Sequence, residues 1–152
     1  MPPLLEQLAR AIHERYRRNQ AGRKPAGDPA MRSWADLAED LKESNRRQAA
    51  HIPVKLEALG YGLRPAGPGA ASLVLSPEQV ERLAVMEHER WNQDRLDQGW
   101  RFGPVRDPDH KITPYLVPYA ELPEDAKQWD REAVEAIPEL LALARLEAFR
   151  LE

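Results

Sequence analysis

Three cations and four aromatic residues that could act on one ligand lie between positions 91 and 131. They are Arg106, Lys111 and Arg131, with Trp91, Trp100, Tyr115 and Tyr119. Converging cationic heads would bind an anion, while indole and phenol faces would stack on a flat base. The same residues admit a structural reading. A buried Glu89 or Asp130 paired with Arg131, Arg106 or Lys111 would tie a long loop to its flanking helices through charge-assisted bonds. Trp100 and Phe102, on either side of Arg101, could likewise plug a core. Both readings stay open on the residues alone. Ion-pair roles are expected for Glu89, Asp130, Glu14 and Arg46.

Other chemistry is poorly provided for. With no cysteine in the chain, disulfides, thiolate metal sites and cysteine nucleophiles are excluded. Of the histidines His13, His51, His88 and His110, only His88 sits near a metalloprotease pattern, and position 92 is Asn where a second His is required. No metal site or cofactor is expected. Ser33, Ser44, Ser72 and Ser76 lack the turn context of a nucleophile. The carboxylate pairs Glu39-Asp40 and Glu124-Asp125 point in different directions on a helix and read as solvated first-turn charges. There is no glycine-rich phosphate loop. The expected protein is not an enzyme.

Helices must position these groups. Leu4, Leu5, Leu8, Ala11, Ile12 and Tyr16 recur at three- and four-residue steps, which predicts a helix over Pro3–Asn19. Residues 20–33 form a loop rich in Gly, Pro and Asp. A short helix around Ala35–Lys42 follows, then a longer one over Ser44–Leu59 that stops at Gly60 and Gly62. Residues 62–75 read as a linker with room for a small hairpin. Ser76-Pro77-Glu78-Gln79 then gives the clearest start signal in the chain, an N-cap serine, a proline at the first helical position and a glutamine at the third. That helix should reach Asp97 and end before Gly99. Residues 99–123 hold five prolines and two glycines; their aromatic and aliphatic residues argue for an ordered loop, and loops of such length tend to be functional. A last helix is expected over Glu124–Phe149.

The halves of the chain repeat one another. At an offset of 75, Glu6, Leu8, Ala9, His13, Glu14 and Arg15 fall on Glu81, Leu83, Ala84, His88, Glu89 and Arg90, and Tyr16 falls on Trp91. At an offset of 85, Leu37, Glu39, Asp40, Lys42, Arg46, Ile52, Pro53 and Leu56 fall on Leu122, Glu124, Asp125, Lys127, Arg131, Ile137, Pro138 and Leu141. The change of offset places an insertion inside the 99–123 loop. A mainly α-helical fold follows, in which two helix–loop–helix units, each with too small a core to stand alone, pack about a pseudo-twofold axis with at most short β-strands. The first unit is 1–61, the linker 62–75 and the second unit 76–152. Pro53 and Pro138 should kink equivalent helices.

The second half also resembles a known family. The segments EHERW at 87–91, GWRFGPVRD at 99–107 and TPYLVPYAELPEDAKQWDREAV at 113–134 are similar to the RyR domain, the repeat module named after the ryanodine receptor channels and found also in bacterial proteins. Glu89 and Trp91, the Gly99-Trp100-Arg101-Phe102-Gly103 run, Arg106 and Lys111, Pro114 to Pro123 and Asp130-Arg131 carry the resemblance. The first half keeps His13-Glu14, Tyr16, Trp34, Leu37 and Asn45-Arg46 and looks like a degenerate copy. The resemblance implies a cytoplasmic module remote from any pore, and for bacterial members a sensor of a nucleotide-like ligand.

Composition narrows the partners. The formal charge of −3 argues against general nucleic-acid binding, although residues 1–70 carry net +4 and the remainder −7. The basic stretch Arg10–Lys24 reads as a solvated helix face. Arginine outnumbers lysine 17 to 5, as either a GC-rich genome or use of the guanidinium fork would give. No apolar run approaches membrane-spanning length, and MPPLLEQLARAIHER lacks the form of a secretory leader. The expectation is a cytoplasmic, non-enzymatic module for a small anionic ligand, working with an effector protein or as a homodimer. The alternative is a protein-interaction module that uses the Pro-rich loop or the Arg-rich first helix.

Overall fold

The computed structural model describes residues 3–25 and 27–152. In chain order the elements are α1 (Pro3–Gln20), α2 (Glu39–Ala58), β1 (Tyr61–Pro65), α3 (Pro77–Asp97), β2 (Arg101–Phe102), β3 (Ile112–Thr113), α4 (Glu124–Glu135), α5 (Ile137–Leu143) and β4 (Leu146–Arg150). The fold is mainly α, with short strands, as the periodicity predicts. Among the described residues no helix is long and apolar enough to cross a membrane.

Two compact units emerge, one made of residues 1–74 with 137–152, the other of residues 75–136. The first differs from the sequence reading, which assigns 137–152 to the second repeat. In this unit α1 buries Leu8, Ala9 and Ala11 against α2, which contributes Ala49, Ile52 and Leu56, and against α5, which contributes Ile137, Leu140 and Leu141. Each fully buried leucine of this kind stabilises the fold by about 1.5–3 kcal/mol relative to an exposed one.

Three helical expectations need correction. The separate helices over 35–42 and 44–59 are one helix, α2, preceded by a single 3-10 turn at Trp34–Asp36. Nothing between Lys42 and Ser44 breaks a helix, since neither Gly nor Pro occurs there. Pro53 lies inside α2, but Pro138 does not sit inside a continuous helix. The expected run Glu124–Phe149 stops at Glu135, and α5 starts at Ile137. Pro138 thus falls in the first turn of α5, where its missing N–H has no intrahelical partner to lose.

The last correction concerns 146–150, expected as helix, and 62–75, expected as linker or local hairpin. Arg145 takes a left-handed backbone (φ 58°) and ends α5. The chain then extends as β4, antiparallel to β1, with Tyr61 opposite Arg150 and Pro65 opposite Leu146. A Cβ at position 62 would lie 2.7 Å from the Phe149 ring, so a larger residue there would have to displace that ring. Neither five-residue strand could hold alone; each supplies the other's ladder.

In the second unit, Ser76 caps α3 as expected. Its hydroxyl accepts from the Gln79 N–H at 3.2 Å, and its own N–H donates to Gln79 Oε1 at 2.9 Å. The helix packs Leu83 and Ala84 toward α4, where Ala126 and Val134 are buried. The 99–123 loop is ordered around a parallel pairing of β2 with β3, Arg101 opposite Ile112 and Phe102 opposite Thr113. Gly103 passes so close to Ile112 that a Cβ would meet its Cγ2 at 2.3 Å. The close crossing turns the loop back over α3 and α4.

Candidate functional site

A cleft of about 630 Å³ opens between α3, α4 and the loop of the second unit. Helical spacing builds its walls. Glu87, His88, Trp91 and Arg95 lie on one face of α3, and Ala126, Trp129, Asp130 and Ala133 on one face of α4. The loop adds Trp100, Arg106, Pro108, Thr113 and Tyr115.

His88 is the buried centre of the floor. Its Nε2 lies 3.0 Å from the Tyr115 carbonyl and 2.9 Å from that of Val117, while Nδ1 lies 3.2 Å from Asp130 Oδ2. Two carbonyl acceptors require a proton on Nε2, and a carboxylate facing Nδ1 favours a second. Burial, the largest single influence, pushes the imidazole pKa down. The Asp130 hydrogen bond and charge, with the two carbonyls, outweigh it and hold the pKa above the ordinary histidine value. The ring therefore clamps the loop segment 115–117 to both helices.

Aromatic rings stand on this floor. Trp91 stacks on His88 with centroids 5.4 Å apart and planes within 16°. One turn further along α3, the Arg95 guanidinium is shared between the faces of Trp91 (5.2 Å) and Trp100 (5.3 Å). Across the cleft Trp129 meets Tyr115 edge-on at 5.3 Å. Glu87 is neutralised by Arg90, whose Nη2 and Nε donate at 2.8 and 2.9 Å.

Of the seven residues expected to bind ligand, the cleft gathers Trp91, Trp100, Arg106 and Tyr115. The other three are elsewhere. Arg131 faces away, with Nε 2.8 Å from Glu81 and Nη1 2.7 Å from Glu124. Tyr119 donates its hydroxyl to Glu81 at 2.7 Å, and burial followed by this bond pushes its pKa up to about 12. Lys111, in a left-handed conformation at the loop turn, donates Nζ to the Gln98 carbonyl at 2.8 Å. Asp130 takes His88 as partner rather than a loop cation, and the exposed Glu89 has no ion pair among the described residues. Sequence reasoning missed Arg95 and Trp129. The signal lay in their i, i+3, i+4, i+7 spacing, which marks one helix face.

The Arg131 latch recurs in the first unit. Arg46 reaches Glu6 at 3.2 Å and Glu39 at 2.7 Å, and these three positions are the repeat equivalents of Arg131, Glu81 and Glu124. Lys42 lies 5.7 Å over Trp34 as Lys127 lies 5.5 Å over Tyr119. A feature present twice, once without the elaborated loop, serves the helix–turn–helix frame. Arg131→Gln is accordingly expected to lower the thermal midpoint, by less than a change at His88, while leaving the affinity of any cleft ligand within about twofold. Thermal denaturation and titration of the same variant check this.

The basic face of α1 is largely committed. Arg15 and Arg18 both pair with Glu139, and Arg17 pairs with Glu14 and donates to the Met31 carbonyl.

Comparison with known families assigns the module. Residues 73–146 match the model of the RyR domain. The chain contains a RyR domain. The match runs from just before the Ser76 cap through β4's first residue, so the cleft lies wholly within the RyR segment.

Proposed function

We propose that the RyR domain is a non-enzymatic sensor that binds a small anionic, nucleotide-like ligand in the aromatic cleft. The observation that carries the reading is the conjunction of Trp91, Trp100, Trp129 and Tyr115 around one cavity with Arg106 at its edge. Arg106 is exposed and has no ion-pair partner among the described residues, so its guanidinium is available to a phosphate or carboxylate. A flat ring stacking on the indoles would place its polar edge over His88 and Asp130. The titratable groups of the floor bind one another, His88 with Asp130 and Glu87 with Arg90. That arrangement suits recognition better than proton transfer, which needs a group free to give or take a proton. In this reading the domain acts in the cytoplasm and passes its state to an effector protein or a second copy.

A second reading, a protein-interaction module, draws on the outer side of the loop. Phe102 and Val105 are 58% and 75% exposed there. The Arg-rich first helix contributes less to it, because Arg15, Arg17 and Arg18 are paired within the unit.

Thermal-shift screening against nucleotides and cyclic nucleotides separates the two. A ligand at a hundred times its Kd stabilises the folded state by about 2.7 kcal/mol, so a binder raises the midpoint. Arg106→Ala should weaken the hit about tenfold or more, the usual loss for a charge-assisted bond. No shift across the panel at millimolar concentration would sink the nucleotide reading, and an unchanged affinity in Arg106→Ala would sink the site.

A further inference from the structure

The first unit has a cavity of its own, about 240 Å³, between α1, α2 and the loop that joins them. Every one of its nine lining residues is the repeat equivalent, at the offsets of 75 and 85, of a residue that lines the aromatic cleft. The correspondence extends to geometry. His13 and Tyr16 stack at 6.5 Å and 19°, as His88 and Trp91 do, and His13 Nε2 donates to the Arg32 carbonyl at 2.6 Å as His88 Nε2 does to its loop carbonyls. The fold therefore builds the same hollow twice.

Its chemistry has changed. Ile12 replaces Glu87, Asn45 replaces Asp130 and Ser44 replaces Trp129, while the loop residues Trp100 and Arg106 have no counterpart. Among the described residues no carboxylate, ammonium or guanidinium group lines the cavity. Ser44, Asn45 and Gln48 instead present neutral donors and acceptors from one side of α2, and these side chains have no hydrogen-bond partner among the described residues. The Lys24 ammonium bonds the Tyr16 hydroxyl, but a charged ligand seated against α2 would give up water beside a wall that offers it no counter-charge. An uncharged ligand with its own donor and acceptor would satisfy the amides and lay its ring against Tyr16.

We infer that the first unit holds a second binding site, for an uncharged single-ring molecule bearing an amide or similar hydrogen-bonding edge. Asn45 and Gln48 read that edge, and the His13–Tyr16 stack forms the flat surface beneath it. The smaller volume limits the occupant to one ring. The inference stands on this cavity and does not require a ligand in the aromatic cleft.

Titration of the full chain with nicotinamide, followed through backbone amide resonances, tests it, with benzoate as an anion of similar size. Nicotinamide should shift residues 12–16 and 41–48 and bind in the millimolar range, about what a fragment of this size achieves, and benzoate should bind there at least several-fold more weakly. Asn45→Leu and Gln48→Leu should each weaken it about tenfold, the loss of a hydrogen-bonding partner, and Trp129→Ala should leave it unchanged. Gln48→Leu decides the matter if Asn45→Leu does not fold. Absence of shifts at 12–16 and 41–48, shifts that survive both leucine variants, or equal binding of benzoate would overturn the inference. Shifts confined to residues 87–133 would overturn it too, while leaving the aromatic cleft as a ligand site.

Discussion

His88→Ala is expected to cost about 2–4 kcal/mol of folding stability and to release the loop wall of the cleft. The ring is buried, and three acceptors converge on it, the Tyr115 and Val117 carbonyls and the Asp130 carboxylate. Removing the ring strands the Tyr115 carbonyl and the Asp130 carboxylate where water is scarce and leaves the Val117 carbonyl to Asn92 Nδ2 alone, and each buried polar group left without a partner costs about 1–3 kcal/mol before relaxation admits solvent. Trp91 also loses the surface on which it stacks. Urea unfolding gives the stability loss, and hydrogen exchange at residues 113–118 reports the freed loop. The clamp should also depend on pH. The folded-state pKa of His88 is raised, so the contribution of the imidazolium is complete below the unfolded value of about 6.5 and is lost as pH rises through the folded value. The stability difference between the parent protein and His88→Ala should therefore shrink from mildly acid to alkaline pH. A difference that grows with pH would contradict the imidazolium assignment. In the first unit, where the ring of His13 holds one carbonyl at 2.6 Å, the equivalent substitution should be milder.

The elements legible in the sequence are those whose signals are local. Ser76, Pro77 and Gln79 specify a helix start by contacts within one turn, and both hydrogen bonds of the capping box form. The internal repeat was legible for the same reason, since identities at fixed offsets need no knowledge of folding; the twin latches of Arg46 and Arg131 show its physical content. What escaped depends on partners distant in the chain. YGLRP and LEAFR become strands because they meet one another, and LEAFR by itself has the composition of a helix. The fate of each arginine was equally hidden. Arg131, in a motif that invites a ligand role, is held by Glu81 and Glu124, whereas Arg95 reaches the cleft from the α3 face that carries Trp91. Residue type announces what a guanidinium can bind; only the fold decides which carboxylate reaches it first.

Trp129→Ala should reduce the affinity of a nucleotide-like ligand by roughly 5- to 150-fold, the range that stacking of one base on one aromatic ring supports at about 1–3 kcal/mol. Trp129 is the better probe of the cleft because it is 55% exposed and contacts Tyr115 only edge-on. Its truncation removes little buried surface, so the fold and the His88 clamp should survive, and circular dichroism can establish that before any titration. Trp91→Ala would weaken binding as well, but Trp91 lies on His88 and beneath Arg95, so its loss mixes binding with rearrangement of the floor. Trp129→Phe supplies the complementary measurement. A phenyl face retains part of the stacking area, and affinity should fall between that of the parent and of the alanine variant. If both variants bind within twofold of the parent, a flat ring does not rest against α4. The Phe102–Val105 face of the loop would then be the surface to alter next, with Val105→Asp as the first change, because a docked protein would meet that exposed edge and not the floor of the cleft.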